Sequence, residues 1–177
     1  MPTSMLFRNH LRRLVISSFF LALALVLPLL TGQIKEIGNM LCPMHLPVLL
    51  CGFFCGWYWG FTVGFVAPLF RSLTLGMPVL FPGAVCMSLE LATYGFVAGM
   101  LFLVLPRKRI NTYVALLVAM LAGRLVWGGA MAACLGVQGQ SLTLAAFFAS
   151  AVTNAIPGIV IQIVAIPLLV DALKKRV

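Results

Sequence analysis

Long apolar runs alternate with short polar or basic stretches along the whole chain. A helix needs about 20 predominantly apolar residues to cross a bilayer, and most of the runs approach or exceed that length. Glycine, proline or charged residues separate the runs, as is typical of loops and helix ends. The pattern predicts six membrane-embedded helical segments, over residues 14–30, 45–55, 61–75, 83–105, 111–135 and 142–173.

The second and third segments are too short for straight spans, so we expect tilted or broken helices there. Between them, Gly56-Trp57-Tyr58-Trp59-Gly60 predicts a tight aromatic turn. Because Trp and Tyr favour the headgroup layer, this turn is expected at a membrane interface. Pro157-Gly158 and Pro167 predict interruptions of the sixth segment.

The composition excludes most classes of soluble protein. Of 177 residues, 63% are hydrophobic and 8% are charged, and the mean hydropathy is +1.14. Soluble domains are about 45–50% apolar and about 25% charged. We therefore expect an all-α integral membrane protein, with membrane lipid and not nucleic acid around it. Six spans of about 20 residues leave little room for more, so a single six-helix domain over residues 1–177 is expected.

The basic residues predict the orientation of the chain. With six spans and both termini in the cytoplasm, the outer loops hold only Lys35, while Arg71 and Arg124 fall inside apolar segments. Lys and Arg concentrate in cytoplasmic loops, so this arrangement is favoured. The cytoplasmic stretches then hold nine of the twelve basic residues: Arg8, Arg12, Arg13, Arg107, Lys108, Arg109, Lys174, Lys175 and Arg176.

A few polar residues interrupt the apolar segments and point to a binding site. A charged side chain at the bilayer centre costs at least ~2.5–3.5 kcal/mol, so such residues face a protein interior or a water-filled cavity. Counting residues from the segment ends places these side chains in the outer half of the bilayer. The candidate substrate-binding residues are Arg71, Glu90, Arg124 and Asn154, with Trp127 three residues from Arg124 and His45 at the outer start of the second segment.

Two interpretations of these charges stay open at this point. Glu90 could simply pair with one arginine and fasten two helices. Two arginines face one glutamate, however, and the second guanidinium fork suits a carboxylate or phosphate of a substrate. His45 can equally be a hydrogen-bonding residue at a helix start, and Trp127 can equally be plain packing.

Small residues recur every four positions from Gly52 to Gly64. This spacing lets helices approach closely, either inside the protein or against another membrane protein. The five cysteines are an odd number and lie mostly in apolar runs, so they are expected to act as small apolar residues and not as a disulfide framework. No metal set, phosphate-binding loop or hydrolase motif is present, so neither a cofactor nor enzymatic activity is expected.

The segments between residues 44 and 95 resemble the substrate-binding S-component of energy-coupling factor (ECF) vitamin transporters. The resemblance rests on Met44-His45-Leu46-Pro47-Val48-Leu49-Leu50-Cys51-Gly52, on the glycines after it, on Gly76-Met77-Pro78, and on Glu90-Leu91-Ala92-x-Tyr94-Gly95. It covers most of the chain and is densest over residues 14–105. The pantothenate/folate type is the most similar.

The resemblance implies an importer subunit in the bacterial cell membrane. Such a protein binds a micronutrient from outside and works with a membrane coupling protein and two cytoplasmic ABC ATPases. The family often docks through an Ala-x-x-x-Ala face on its first helix, and Ser18-x-x-x-Ala22 is the nearest match here. Pantothenate is the first expectation for the substrate. Folate, riboflavin, cobalamin, a queuosine precursor and a ligand-free assembly role remain as alternatives.

Overall fold

The computed structural model describes residues 3–30, 43–106, 109–137 and 156–174, and within these ranges it contains helices and connecting turns but no strands. This agrees with the all-α prediction. The helices are α1 (Thr3–Leu30), α2 (His45–Cys55), α3 (Trp57–Leu75), α4 (Val85–Val104), α5 (Arg109–Val137) and α6 (Ile156–Lys174).

The predicted helix positions hold, but several helix ends differ. The bounds of α2 are those predicted, and α5 is longer by two residues at each end. Helix α1 begins at Thr3 instead of residue 14. No helix-breaking residue separates the basic N-terminal stretch from the apolar run, so the helix extends through both. Helix α6 continues through Pro167, so the predicted interruption there is wrong. The beginning of the sixth segment, residues 142–155, lies outside the described residues.

The aromatic turn predicted over residues 56–60 is reduced to one residue. Trp57, Tyr58 and Trp59 form the first turn of α3, and only Gly56 is non-helical. Its φ of 96° is strained for residues with a side chain, and its amide N–H donates to the Gly52 carbonyl at 3.1 Å. A single glycine thus reverses the chain, because the tryptophans and tyrosine are compatible with helix and need no loop of their own.

Three described helical segments are long and apolar enough to cross a membrane, namely residues 10–29, 80–104 and 109–137. Helix α2 is apolar but short, as predicted, and spans only about 16 Å at 1.5 Å per residue. The chain between α3 and α4 contains the predicted breaker-rich loop. Gly76 ends α3 in a left-handed conformation, and Phe81 has an extended backbone inside a wide turn that leads into α4.

Glycines bring the backbones of α2, α3 and α4 into direct contact. A Cβ atom added at Gly52 or at Gly60 would lie 2.6 Å from the Gly95 carbonyl oxygen, and one added at Gly99 would lie 2.5 Å from the Trp57 nitrogen. One added at Gly64 would overlap the backbone at Leu91. Gly52, Gly60 and Gly64 of the repeat therefore pack inside the protein, and the alternative of a docking face for another protein is wrong for these three glycines.

Helices α1 and α6 complete the described bundle on the flanks of this junction. The rings of Phe20 in α1 and Phe54 in α2 stack at 6.3 Å, while Ile166 and Val170 of α6 are fully buried in the same apolar core. Arg109 Nε at the start of α5 lies 2.9 Å from Asp171 Oδ2 near the end of α6. This ion pair lies at the end of the bundle that the charge pattern predicts to be cytoplasmic.

We predict that Gly95→Ala destabilises the protein strongly. The new methyl group would overlap the Gly60 backbone, and overpacking of this kind costs about 1–3 kcal/mol or more. The measurement is thermal unfolding of the purified protein in detergent. Gly129→Ala is the matched control, because nothing lies within 4 Å of a Cβ at that exposed position of α5. An equal loss of stability in both variants would contradict the close backbone contact.

Candidate functional site

Glu90 is the centre of a buried polar cluster. It lies on the second turn of α4 and is 2% exposed. Its Oε1 atom lies 3.0 Å from Nη1 of Arg124 on α5. A charge-assisted pair of this length satisfies the carboxylate electrostatically, so the ion pair joins α4 to α5 in the interior.

Two further groups converge on the same carboxylate oxygen. The Tyr94 hydroxyl donates a hydrogen bond to Glu90 Oε1 at 3.1 Å, and His45 Nε2 on α2 lies 3.5 Å from it. The rings of His45 and Tyr94 contact each other at a centroid distance of 5.1 Å. Glu90 therefore connects three helices, with its negative charge facing a guanidinium, a phenol and an imidazole.

Tyr94 is the member of this cluster to which the sequence analysis assigned no role. It lies four residues after Glu90, which places both side chains on one face of α4, and it is 1% exposed. That spacing, within an apolar helix, was the available signal. A Cβ at Gly123 of α5 would lie 2.5 Å from the Tyr94 ring, so the tyrosine fits only because Gly123 carries no side chain.

Arg71 is buried on α3, at 7% exposed, and is in a different situation from Arg124. Its Nε atom has no hydrogen-bond partner, and among the described residues its guanidinium forms no ion pair. It belongs to the buried face of α3 that also carries Gly60 and Gly64. The buried cation is thus not neutralised by the part of the chain that the structure describes.

The glycine contacts determine the height of Arg71 relative to Glu90. Gly64 meets Leu91, Gly60 meets Gly95, and Trp57 meets Gly99, so α3 and α4 run antiparallel with a constant register. Continuing this register places Arg71 level with residues 84–85. That is about five residues, or ~8 Å at 1.5 Å per residue, beyond Glu90 toward the end of the bundle that is predicted to face outside.

The other predicted site residues have the following positions. Trp127 is half-buried on α5, and the contact between Gly123 and Tyr94 places it at about the height of Glu90 in the antiparallel pair α4–α5. Asn154 lies outside the described residues.

The proposed docking residues, Ser18 and Ala22, are both exposed on α1, and the Ser18 hydroxyl donates to the Leu14 carbonyl at 2.9 Å.

The described cluster consists of charged and hydrogen-bonding side chains. No group of three or more histidine, cysteine or acidic side chains that could hold a metal ion occurs in the described parts of the chain. The Glu90–Arg124 pair balances its own charge, whereas Arg71 contributes an uncompensated positive charge nearby. The described site can therefore accept an anionic group without leaving a buried charge unpaired.

Comparison with known proteins identifies a family. Residues 12–170 match the family described as "ECF transporter, substrate-specific component". No curated protein and no solved structure matches the chain. Because the match covers most of the sequence, the chain belongs to this family, and it is a membrane transport protein, the S-component of an ECF transporter.

We predict that Glu90 and Arg124 are strongly coupled in stability. Leaving a buried charge without its partner costs about 3–5 kcal/mol. The Glu90 side chain is 3% exposed, so Arg124→Met should lower the thermal stability markedly. The double variant with Glu90→Gln should recover most of the loss, since the lone buried carboxylate is gone. The measurement is a double-mutant cycle on thermal unfolding in detergent.

The control for this cycle is Arg109→Met, which breaks the ion pair with Asp171. The Arg109 side chain is 77% exposed, and exposed pairs contribute about 0–1 kcal/mol. Strictly additive effects of the Glu90 and Arg124 substitutions would show that the two residues do not stabilise each other.

Proposed function

We propose that this S-component captures an anionic, vitamin-like micronutrient from outside the cell, with pantothenate as the first expectation. The pocket lies in the outer half of the bilayer, between Arg71 and the Glu90–Arg124 pair. The observation that carries this proposal is Arg71, a buried cation whose side chain has no partner among the described residues. His45, Trp127 and Asn154 are proposed to complete the pocket wall.

The charge balance supports an anionic ligand. Arg124 already faces Glu90 at 3.0 Å, so a ligand carboxylate that bound there would compete with a buried partner. Arg71 has no such competitor in the described region. A guanidinium presents parallel N–H donors that match a carboxylate or phosphate in a bidentate fashion. A ligand with one negative group would therefore bind at Arg71 and leave the Glu90–Arg124 pair intact.

Other substrates differ from pantothenate in how well they fit this argument. Folate carries carboxylates and would satisfy Arg71 as well. Riboflavin, cobalamin and a queuosine precursor would need other contacts. A ligand-free assembly protein is favoured by one observation, namely that the Glu90–Arg124 pair is complete without a ligand. The unpartnered guanidinium of Arg71 favours the binding role instead.

Delivery of the ligand requires partners. We propose a single six-helix domain over residues 1–177, with both termini in the cytoplasm of a bacterial cell and the helices in its plasma membrane. It would work with a membrane coupling protein and two cytoplasmic ABC ATPases, which supply the energy. The exposed positions of Ser18 and Ala22 on α1 support this face as the contact with the coupling protein, because small residues allow close approach of a partner helix.

We predict that Arg71→Met weakens vitamin binding about 10- to 100-fold. The estimate follows from about 1.5–3 kcal/mol for a charge-assisted hydrogen bond and 1.4 kcal/mol per tenfold change in affinity. Purified protein, washed free of co-purified ligand, would be titrated with pantothenate, folate, riboflavin, cobalamin and a queuosine precursor by calorimetry and tryptophan fluorescence. The alcohol analogue of the bound vitamin, without its carboxylate, should bind wild-type protein as weakly as the acid binds the variant.

The same variant separates a binding role from a structural one. Since Arg71 is buried without a described partner, Arg71→Met should leave the thermal stability of the ligand-free protein unchanged or raise it. Arg109→Met, which removes an exposed arginine far from the site, should leave binding unchanged. Undiminished vitamin affinity in Arg71→Met would contradict the anionic pocket, and the absence of binding by wild-type protein to every vitamin in the panel would favour the assembly role.

We predict that Ser18→Trp weakens assembly with the coupling protein and leaves vitamin binding intact. The bulky side chain would hold a partner helix away from α1. Ala132→Trp is the matched control, since Ala132 is also a small exposed residue but lies on α5. The measurement is co-purification of the tagged S-component with the coupling protein and the ATPases. Full recovery of the complex with Ser18→Trp would rule out this face.

A further inference from the structure

Two cysteines from different helices meet between α4 and α5. The Sγ atoms of Cys86 and Cys134 lie 3.7 Å apart, although the residues are 48 positions apart in the chain. Cys86 is fully buried, while Cys134 is partly exposed. Both are free thiols in the structure, so the pair is close enough for one thiol to reach the other after small movements.

The location of the pair makes oxidation chemically reasonable. Cys86 lies one helical turn before Glu90 on the same face of α4, and Cys134 lies three residues before the end of α5. The predicted orientation places both near the outer surface of the membrane. Disulfides form and persist in oxidising compartments outside the cytoplasm, and the exposed edge of Cys134 gives an oxidant access.

The other described cysteines lack this geometry. Cys51 and Cys55 lie four residues apart on the single helix α2 and are both buried. Cβ atoms at that spacing are about 5–6 Å apart, whereas a disulfide needs about 3.5–4.5 Å. Only a pair on two facing helices can adjust this distance by a small shift of the helices. Cys42 lies outside the described residues.

We infer that Cys86 and Cys134 form a disulfide that fastens the outer ends of α4 and α5. The Cys134 thiolate attacks the disulfide of an external thiol–disulfide exchange partner, which gives a mixed disulfide and releases one thiol of that partner. The Cys86 thiol loses its proton and displaces the second thiol. Two S–H bonds are replaced by one S–S bond, and the partner disulfide takes up both electrons and both protons.

The link would act next to the polar cluster. It holds α4 and α5 together beyond the Glu90–Arg124 pair, which spans the same two helices: Cys86 lies one turn from Glu90 on α4, and Cys134 lies ten residues from Arg124 on α5. The reduced protein keeps this spacing only by packing and by the ion pair. Oxidation should therefore stabilise the helix pair, and a reducing agent should reverse the effect. The inference does not depend on the identity of the transported ligand.

The test uses the full-length purified protein and oxidised glutathione as the oxidant. After oxidation the protein is denatured and its thiols are counted by attachment of a maleimide-linked polymer. Wild-type protein should lose two of its five thiols, and mass spectrometry of peptides should find Cys86 joined to Cys134. The melting temperature should rise by several degrees, and dithiothreitol should reverse the rise.

Single variants identify the pair. Cys86→Ala and Cys134→Ala should each retain all four remaining thiols and show no change in melting temperature with oxidant. Cys42→Ala should still lose two thiols, because Cys42 is not part of the pair. Retention of all five wild-type thiols, under conditions that fully oxidise a reference dithiol protein, would overturn the inference. A cross-link that contains Cys42, Cys51 or Cys55 in place of either partner would overturn it as well.

Discussion

The backbone contact between α3 and α4 at Gly60 and Gly95 determines where the other parts of the described bundle can lie. A membrane-embedded bundle gains little from burying apolar groups, because lipid is apolar too, and close packing of small residues replaces that driving force. Here the absence of side chains at Gly52, Gly60 and Gly95 lets three helices touch at one junction. The register that results places Arg71 beyond Glu90 on the neighbouring helix. A single methyl group at this junction would therefore alter the geometry of the site from a distance.

Arg71 and Arg124 have different surroundings, although the sequence presents them alike: Arg71 is buried, whereas the Arg124 side chain is partly exposed. Arg124 faces a carboxylate that also accepts a hydrogen bond from Tyr94 and lies close to His45. Removing it leaves a buried negative charge, so its loss affects folding before it affects any ligand. Arg71 has no such partner in the described region. Arg71 is thus the better probe of ligand binding. Its substitution removes a buried charge and leaves no described partner without a counter-charge.

Three features of the fold meet at the height of the proposed ligand site. The ion pair joins α4 and α5, and His45 brings α2 to the same oxygen. Cys86, one turn before Glu90 on α4, meets Cys134 of α5. All of them lie on the side of the bundle that the charge pattern predicts to face outside. A ligand held at this height would contact several helices at once. Release toward the coupling protein would then require these helices to move relative to one another.

The sequence by itself determined the all-helical architecture, the membrane environment and the family, because these follow from long apolar runs and from a residue pattern that extends over most of the chain. It also identified Arg71, Glu90 and Arg124 as candidate site residues, since placing a charged side chain in an apolar membrane segment costs free energy and such residues are therefore rare. It did not determine that Gly56 alone turns the chain, because Trp57, Tyr58 and Trp59 suit a helix and an interface equally well. The partner of Glu90, the role of Tyr94 above Gly123 and the meeting of Cys86 with Cys134 were decided only by the tertiary structure. The physical reason is that these contacts depend on the rotation and register of facing helices. The glycine junction sets this register, whereas the periodicity of residues along a single helix carries no information about it.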